Sequence, residues 1–438
     1  MKRGGIRWIL LLALVVRLML ALSLDSTAAL NRTSDDGRWY LSNGYSLVTG
    51  LQPPTGIVTD VSTLEQPPLY FVLVGVPMAL FAPETAVLVI RVVQGLLGIL
   101  TVYMGYRMAR LLAGDDTPRG ETAGRISALV LAVAPNFVLE NAAIKTETLY
   151  IALLMAGLWA AMAAVAHDRM HGTFDWRRWA LAGIGLGGAA LTRSAGLGFW
   201  LFLALGIVLA FGPRGGLKRA AVLIAAFALA LSTWTAYNLF AYQRLIIGGA
   251  GIASFVYLGA EGWDDPTEVD AALGITSGSA ADNQQIIVEA AADAITSDIP
   301  GYLAYRAREL SGALLQPHGT EAYGGESLRA LAAGWLANDR SVEGLLRLTR
   351  APAFWDKLAL YVVHYAGLVF GFVGLVMLRA RWRLAMPIAS ALLYILALHT
   401  VLFVLPRYVF PMLPLLWVLA GVSLSAFFRP RAQMPPLR

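Results

Sequence analysis

Few residues in this 438-residue chain can do acid–base or phosphate chemistry, so those that can are easy to pick out. Two adjacent acids, Asp35 and Asp36, lie in "NRTSDDGRWYLSNGYSLVTG", directly after an apolar stretch. Glu65 precedes "QPPLYF", and Lys145 and Glu147 form "IKTETLY". Arg193 lies in "LTRSAGL" and Arg407 in "LPRYVFPMLP". A carboxylate can deprotonate an attacking hydroxyl or amine. Arginine grips a phosphate through paired donors, and lysine acts on it as a point charge. Each residue also has a plainer reading. A loop acid is usually solvated. Lys145 and Glu147 fit a local ion pair in a tight turn, and Arg193 and Arg407 fit headgroup anchors. The adjacent acids suit a divalent metal ion, but no further clear ligand accompanies them. The chain has no cysteine, so disulfides, thiol nucleophiles and zinc–thiolate sites are excluded.

The elements that must position these residues are membrane helices. The chain is 58% hydrophobic and 14% charged, with a mean hydropathy of +0.63. A soluble domain carries about a quarter charged residues. Apolar runs long enough to cross a bilayer recur along the sequence. The expected class is therefore all-α, a multi-pass integral membrane protein with about ten transmembrane helices. Spans are expected near 8–24, 86–110, 125–143, 147–166, 179–193, 195–211, 220–240, 358–378, 384–404 and 408–428. The apolar segment 68–82 is short. Six clusters of Lys and Arg fall on one side, the cytoplasmic one, only if this segment lies in the interface instead of crossing. The net charge of +6 is then accounted for by cytoplasmic loops, not by nucleic-acid binding. The basic, apolar N-terminus reads as an uncleaved first helix, with Arg17 inside it facing other helices or snorkelling.

This layout gives an N-terminal membrane module over 1–240 whose first outer loop spans 25–85. A long outer loop with helices follows over 241–357, then C-terminal spans over 358–428 and a cytoplasmic tail over 429–438. Within the long loop, "PGYLAYRARELSGALL" has helical spacing of apolar residues. His318 in that loop is expected to be solvated, and His364 and His399 to pack or make single hydrogen bonds. The glycines of "AGIGLGGAAL" suit close helix contacts better than a phosphate loop. No internal repeat is visible, which weighs against a transporter. On this topology Asp35, Asp36, Glu65, Lys145, Glu147, Arg193 and Arg407 all belong to the outer face. Acids and bases at headgroup depth above apolar helices suggest group transfer from a polyprenyl-phosphate donor.

In order along the chain, six motifs resemble the multi-spanning GT-C glycosyltransferases, particularly the bacterial dolichyl-phosphate-mannose–protein mannosyltransferase and aminoarabinose transferase-like group. They are Asp36-Gly-Arg-Trp-Tyr40 closed by Gly50, Pro67-Pro68-Leu69-Tyr70, and Lys145-Thr-Glu147. Then come Thr192-Arg193-Ser-Ala-Gly196-Leu197, Trp234-Thr-Ala-Tyr-Asn238 and Arg407-Tyr408-Val-Phe-Pro411-Met-Leu-Pro414. The sequence departs from that pattern at Gly37, often a second acid, and at Thr233 and Tyr237, often Pro and Arg.

The resemblance implies a GT-C-like fold with outer-face interfacial helices and an inverting sugar transfer from a polyprenyl-phosphate-linked donor. It implies that Asp36, with Asp35 as its neighbour, acts on the acceptor. Lys145, Arg193, Arg407 and Tyr408 would contact the donor phosphate. Glu65, Tyr40, Glu147 and Asn238 would position the acceptor, or in the acids' case a divalent metal. The expected partners are the lipid-linked donor, the bilayer and an acceptor that is protein, lipid or glycan. The expected location is a bacterial inner or plasma membrane. Two rivals remain: a lipid-linked glycan polymerase or ligase, and a lipid or sugar transporter or flippase.

Overall fold

The computed structural model describes residues 4–26, 30, 36–51, 66–249, 252–261, 269, 272–275 and 280–428. Asp35 and Glu65 lie outside the described residues. All regular structure among those described is helical. The N-terminal helices are α1 (Gly4–Ser23), α2 (Asp36–Thr49), α3 (Leu69–Leu80), α4 (Pro83–Ala113), α5 (Pro118–Val133) and α6 (Pro135–Ala142). Next come α7 (Glu147–His171), α8 (Trp176–Ala190) and α9 (Phe199–Tyr242). The long loop holds α10 (Ile252–Glu261), α11 (Ala280–Ser297), α12 (Ile299–Leu315), α13 (Leu328–Asn338) and α14 (Val342–Leu348). The last helices are α15 (Phe354–Met377), α16 (Trp382–His399), α17 (Pro406–Val409) and α18 (Met412–Leu424).

Five stretches are long and apolar enough to cross a membrane, or six if α5 and α6 together form one bent span. Two of the five are too long to be one straight helix. Phe354–His399 contains α15 and α16 joined by a 3₁₀ turn. Ser194–Ala241 contains α9, which breaks at Gly212 (φ 74°, ψ 169°). A Cβ on Gly216 would lie 2.4 Å from the Val208 Cα. Eight residues of unbroken helix would separate those positions by about 12 Å, so the chain doubles back there.

The break between α5 and α6 explains a charge inside the first span. Ala134 is extended (φ −62°, ψ 129°) and the two helices meet at 51°. Proline disfavours helical geometry in the residue before it and has no N–H to donate. The carbonyls of Leu131 and Ala132 therefore lose their usual partners. Arg17 supplies them: its Nη2 donates to Leu131 O at 2.9 Å and its Nη1 to Ala132 O at 2.8 Å, while its Nε donates to Asn141 Oδ1 at 2.5 Å. Gly98 leaves room for this group, since a Cβ there would sit 2.1 Å from Asn141 Oδ1. Arg17 is buried and faces other helices, one of the two placements expected for it.

At twelve residues, or about 18 Å, α3 is well short of the roughly 30 Å hydrocarbon core. It lies hard against α2, because a Cβ on Gly75 would come within 2.1 Å of Gly44 O. Tyr40 packs edge-on against Tyr70 across this contact, with ring centres 4.9 Å apart. The glycines of α8 do serve close packing: a Cβ on Gly183 would meet Leu223 O of α9 at 2.3 Å. One large apolar core unites the helices from α4 to α9 with α15, α16 and α18. A smaller one joins α2, α3 and α4. The long loop has only a minor cluster, formed by Ala253, Tyr257, Leu258, Ile287 and Ala291, and Phe403 closes it.

Candidate active site

Two ion pairs meet at one end of the bundle, the end bearing the long loops. Glu147 opens α7 and is buried. Its Oε1 accepts from Arg193 Nη1 at 2.6 Å. Arg193 follows the end of α8 in extended geometry (φ −146°, ψ 129°). Its turn is clamped from two sides. The Tyr394 hydroxyl donates to Ala195 O at 2.7 Å and accepts from Gly198 N at 3.1 Å. Leu69 N, at the start of α3, donates to Leu191 O at 2.9 Å.

The second pair is Arg407 and Asp36. Asp36 is the first residue of α2, where a carboxylate is favoured by the helix dipole. Its Oδ2 accepts from Arg407 Nη1 at 2.5 Å. Arg407 Nη2 donates to the Tyr408 hydroxyl at 3.2 Å. Tyr408 links the two pairs: the guanidinium carbons of Arg193 and Arg407 lie 5.2 Å and 5.1 Å from its ring centre, within cation–π range. His399 stacks on the same ring at 5.9 Å, with an interplanar angle of 11°. Tyr40 is buried nearby. Burial first, then the charge of Glu147 and less strongly that of Asp36, push its hydroxyl well above the usual range, against the opposing effect of Arg193 and Arg407. Tyr40 therefore remains an O–H donor. Four separate chain segments thus bring Asp36, Tyr40, Glu147, Arg193, Arg407 and Tyr408 together.

Among the described residues, several donors and acceptors at this end have no protein partner. Arg407 Nε, His399 Nδ1 and Glu140 Oε1 are buried without a hydrogen bond. Such groups are costly unless something else satisfies them.

Other expected residues fall elsewhere. Lys145 does not pair with Glu147; Arg193 takes that carboxylate. The tight turn through Ala143 and Lys145 leaves the Lys145 side chain half-buried, and its charge acts weakly on Glu321. Asn238 is fully buried at the end of α9, and its Nδ2 donates to Ile246 O at 3.4 Å. It shapes the loop after that helix and does not touch either ion pair. Among the described residues, no group of three or more His, Asp or Glu side chains is arranged to hold a metal ion.

His318 corrects the expectation of a solvated side chain. It is 4% exposed and lies between two acids, with Glu140 Oε2 at 2.6 Å and Glu321 Oε1 at 3.2 Å. Its ring also lies 4.8 Å from that of Phe410, just beyond Arg407. Burial opposes its charge, but Glu140 and then Glu321 outweigh that and push its pKa up to about 10. Glu140 is 178 positions away in the sequence, so no local pattern could have revealed the pair. Arg306 likewise turns inward. It is 1% exposed and donates to His399 O at 3.1 Å and to Leu402 O, fixing the segment that leads to Arg407.

The model of the dolichyl-phosphate-mannose-protein mannosyltransferase family matches residues 65–237. No curated protein matches the chain in sequence. The fold is similar to that of the Archaeoglobus fulgidus oligosaccharyltransferase, solved with a tethered acceptor peptide. That alignment covers 98% of this chain and 50% of the other, at 15% identity and a TM-score of 0.56. The AglB structure from the same organism, in complex with an inhibitory peptide and a dolichol-phosphate, aligns at 16% identity and a TM-score of 0.52, covering 98% and 51%. This chain thus spans about half the length of the oligosaccharyltransferase it matches. ArnT from Cupriavidus metallidurans also aligns, over 97% of this chain and 79% of its own, at 16% identity and a TM-score of 0.40. Over residues 65–237 the chain is thus similar to the dolichyl-phosphate-mannose-protein mannosyltransferase family, and its all-helical fold is similar to that of the archaeal oligosaccharyltransferase.

Proposed function

We propose that the protein transfers a sugar from a polyprenyl-phosphate-linked donor to an acceptor at the extracytoplasmic membrane surface. The observation that carries this reading is the state of Arg407. One of its nitrogens holds Asp36 and another holds Tyr408, while Nε is buried and unspent. A phosphate oxygen reaching Nε would lie beside the acid without displacing it. Arg193 across the Tyr408 ring supplies a second positive charge, and Lys145, which makes no contact with either ion pair among the described residues, is proposed to reach the phosphate only when the donor binds. The dolichol-phosphate bound by the archaeal oligosaccharyltransferase of this fold supports a lipid-phosphate ligand.

In the proposed reaction an acceptor hydroxyl or amine attacks the anomeric carbon as the bond from that carbon to the phosphate oxygen breaks. The electron pair of that bond leaves with the polyprenyl phosphate, whose growing charge falls to Arg407, Arg193 and Lys145. The acceptor proton goes to Asp36. Its Oδ1 has no partner among the described residues, while Oδ2 stays on Arg407. Attack opposite the leaving group inverts the anomeric configuration. Tyr40 and Glu147 hold the floor and the second arginine, and Asp35 and Glu65 are proposed to assist at the acceptor side.

The test uses the purified protein in proteoliposomes with a defined polyprenyl-phosphate monosaccharide. Release of polyprenyl phosphate by the native chain, and none by a folded Asp36→Asn variant, is expected. Full activity in that variant removes Asp36 from its role. Turnover of diphosphate-linked donors only, with no polyprenyl phosphate released, would favour a ligase. Flux into sealed vesicles with no covalent product would favour a transporter.

A further inference from the structure

We propose that the hairpin of α13 and α14 is a membrane-surface anchor, with its apolar face seated in the headgroup–acyl boundary beside the first turn of α15. The pattern comes first. Leu328, Leu331, Ala332, Trp335 and Leu336 recur at helical spacing along α13, yet no residue of that helix is buried. In α14, Val342, Leu345 and Leu346 form a similar stripe, and all three are exposed. Trp335 Nε1 donates to Ser341 O at 2.9 Å, so the two helices form one unit. On α13 Leu336 is exposed and the other four are only partly covered, so with the exposed stripe of α14 the hairpin keeps an apolar face that needs a further cover.

The fold supplies the depth at which that cover must lie. Lys357, in the first turn of α15, is buried and donates to Glu326 O at 2.9 Å and to Gly324 O, just before α13 begins. At the other end, α14 finishes at Leu348 and α15 starts at Phe354. Both ends of the hairpin are therefore tied to the first turn of a membrane-spanning stretch. That turn carries Trp355 at 68% exposure, and Val362, Val369, Phe372 and Val376 continue the exposed apolar stripe down the same helix. An exposed tryptophan at the end of such a stripe marks a water–lipid boundary. The hairpin meets the bilayer at that level.

Charge favours the same occupant. Residues 327–350 contain Arg329, Arg340, Arg347 and Arg350 against Asp339 and Glu343. One arginine is already spent, with Arg347 Nη2 at 3.1 Å from Asp339 Oδ2. The remaining excess suits headgroup phosphates, and the long arginine stems let the charges stay at the surface while leucines dip below.

The absence of cysteine makes a direct test simple. Leu345→Cys, on the apolar stripe, and Ala337→Cys, on the far face of α13, are each labelled with an environment-sensitive fluorophore in the full chain. Both are reconstituted in phospholipid vesicles and checked for unchanged elution in detergent. The expected result is that the residue 345 probe loses most of its emission to a spin-labelled lipid and little to aqueous iodide, with the reverse at residue 337. Equal iodide access at both positions overturns the proposal. So does shielding of residue 345 from both quenchers, which would mean that a protein covers this face. Val342→Cys on the same stripe replaces Leu345→Cys if the latter misfolds. None of these readings depends on transfer activity, so a failed transferase assignment leaves this test intact.

Discussion

Charge is buried at both ends of the bundle, but the two ends use it differently. Away from the long loops, Asp168 on α7 has a fully buried side chain. It accepts from Arg219 Nε at 2.7 Å, Trp179 Nε1 at 3.0 Å and Asp175 N at 3.0 Å. These partners come from the turn after α7, from α8 and from just past the Gly212 break in α9. In a separate cluster, Glu121 accepts from Arg125 at 2.7 Å and from the Tyr106 hydroxyl at 2.7 Å. The Asp168 knot is local, and both of its carboxylate oxygens are used. At the loop end the pairs reach across the whole chain, and Arg407, His399 and Glu140 keep atoms without partners. Buried charge on a membrane helix is therefore not enough to mark a site. The Asp168 carboxylate, with both oxygens used, is read as a staple although His167 Nδ1 beside it lacks a hydrogen bond, whereas at the loop end the free atoms belong to the proposed site itself.

The sharpest way to break this contrast is at the staple. Asp168→Ala leaves Arg219 buried without its anion, and the expected loss is about 3–5 kcal/mol of stability. It should appear as aggregation or early elution in fluorescence-detected chromatography. A variant that melts like the native chain would mean that the inner knot holds nothing together. At the loop end the effect should move from stability to chemistry. Arg407→Lys keeps the charge but loses the forked geometry, so transfer should drop about a hundredfold with little change in melting temperature. A collapse in melting temperature instead would make Arg407 structural.

His318 sharpens the comparison through pH. Its pKa is raised from 6.5 to about 10 by Glu140 and Glu321. A raised folded-state value stabilises fully below about pH 6.5, and the contribution fades as pH climbs towards 10. His318→Gln should therefore melt lower than the native chain at pH 6, by about 2 kcal/mol. That gap should close as pH approaches 10. A gap that stays constant with pH would rule out the charged clamp. The smallest effect is expected at Arg125, whose side chain is 42% exposed in its pair with Glu121. Arg125→Ala should change stability by no more than about 0.5 kcal/mol, measured by thermal denaturation.

Much of this contrast was legible in the sequence. Apolar runs announced the helices, and the scarcity of charge made Asp36, Glu147, Arg193 and Arg407 conspicuous. What the sequence could not provide was pairing. Lys145 lies two residues from Glu147, so proximity favoured that pair, but the turn sends the carboxylate to Arg193. Asn238 stood in a motif-like position, yet its Nδ2 goes to the loop after α9 and its Oδ1 is buried without a partner among the described residues. His318 looked like a solvated residue of a polar loop. Its burial, like that of Arg306, depends on contacts with Glu140 and with the end of α16 that only the folded chain brings near.

The span between the two halves of the Asp36–Arg407 pair also has a temporal side. They are 371 residues apart, and a ribosome adding about 5–20 residues per second needs on the order of 20 to 75 seconds to make that stretch. Through that interval Asp36 has been made but its arginine has not. Glu147 and Arg193, only 46 residues apart, can pair early. The proposed site is thus incomplete until Arg407 has been made, and nascent chains halted before residue 407 should be inert even with their early helices in place.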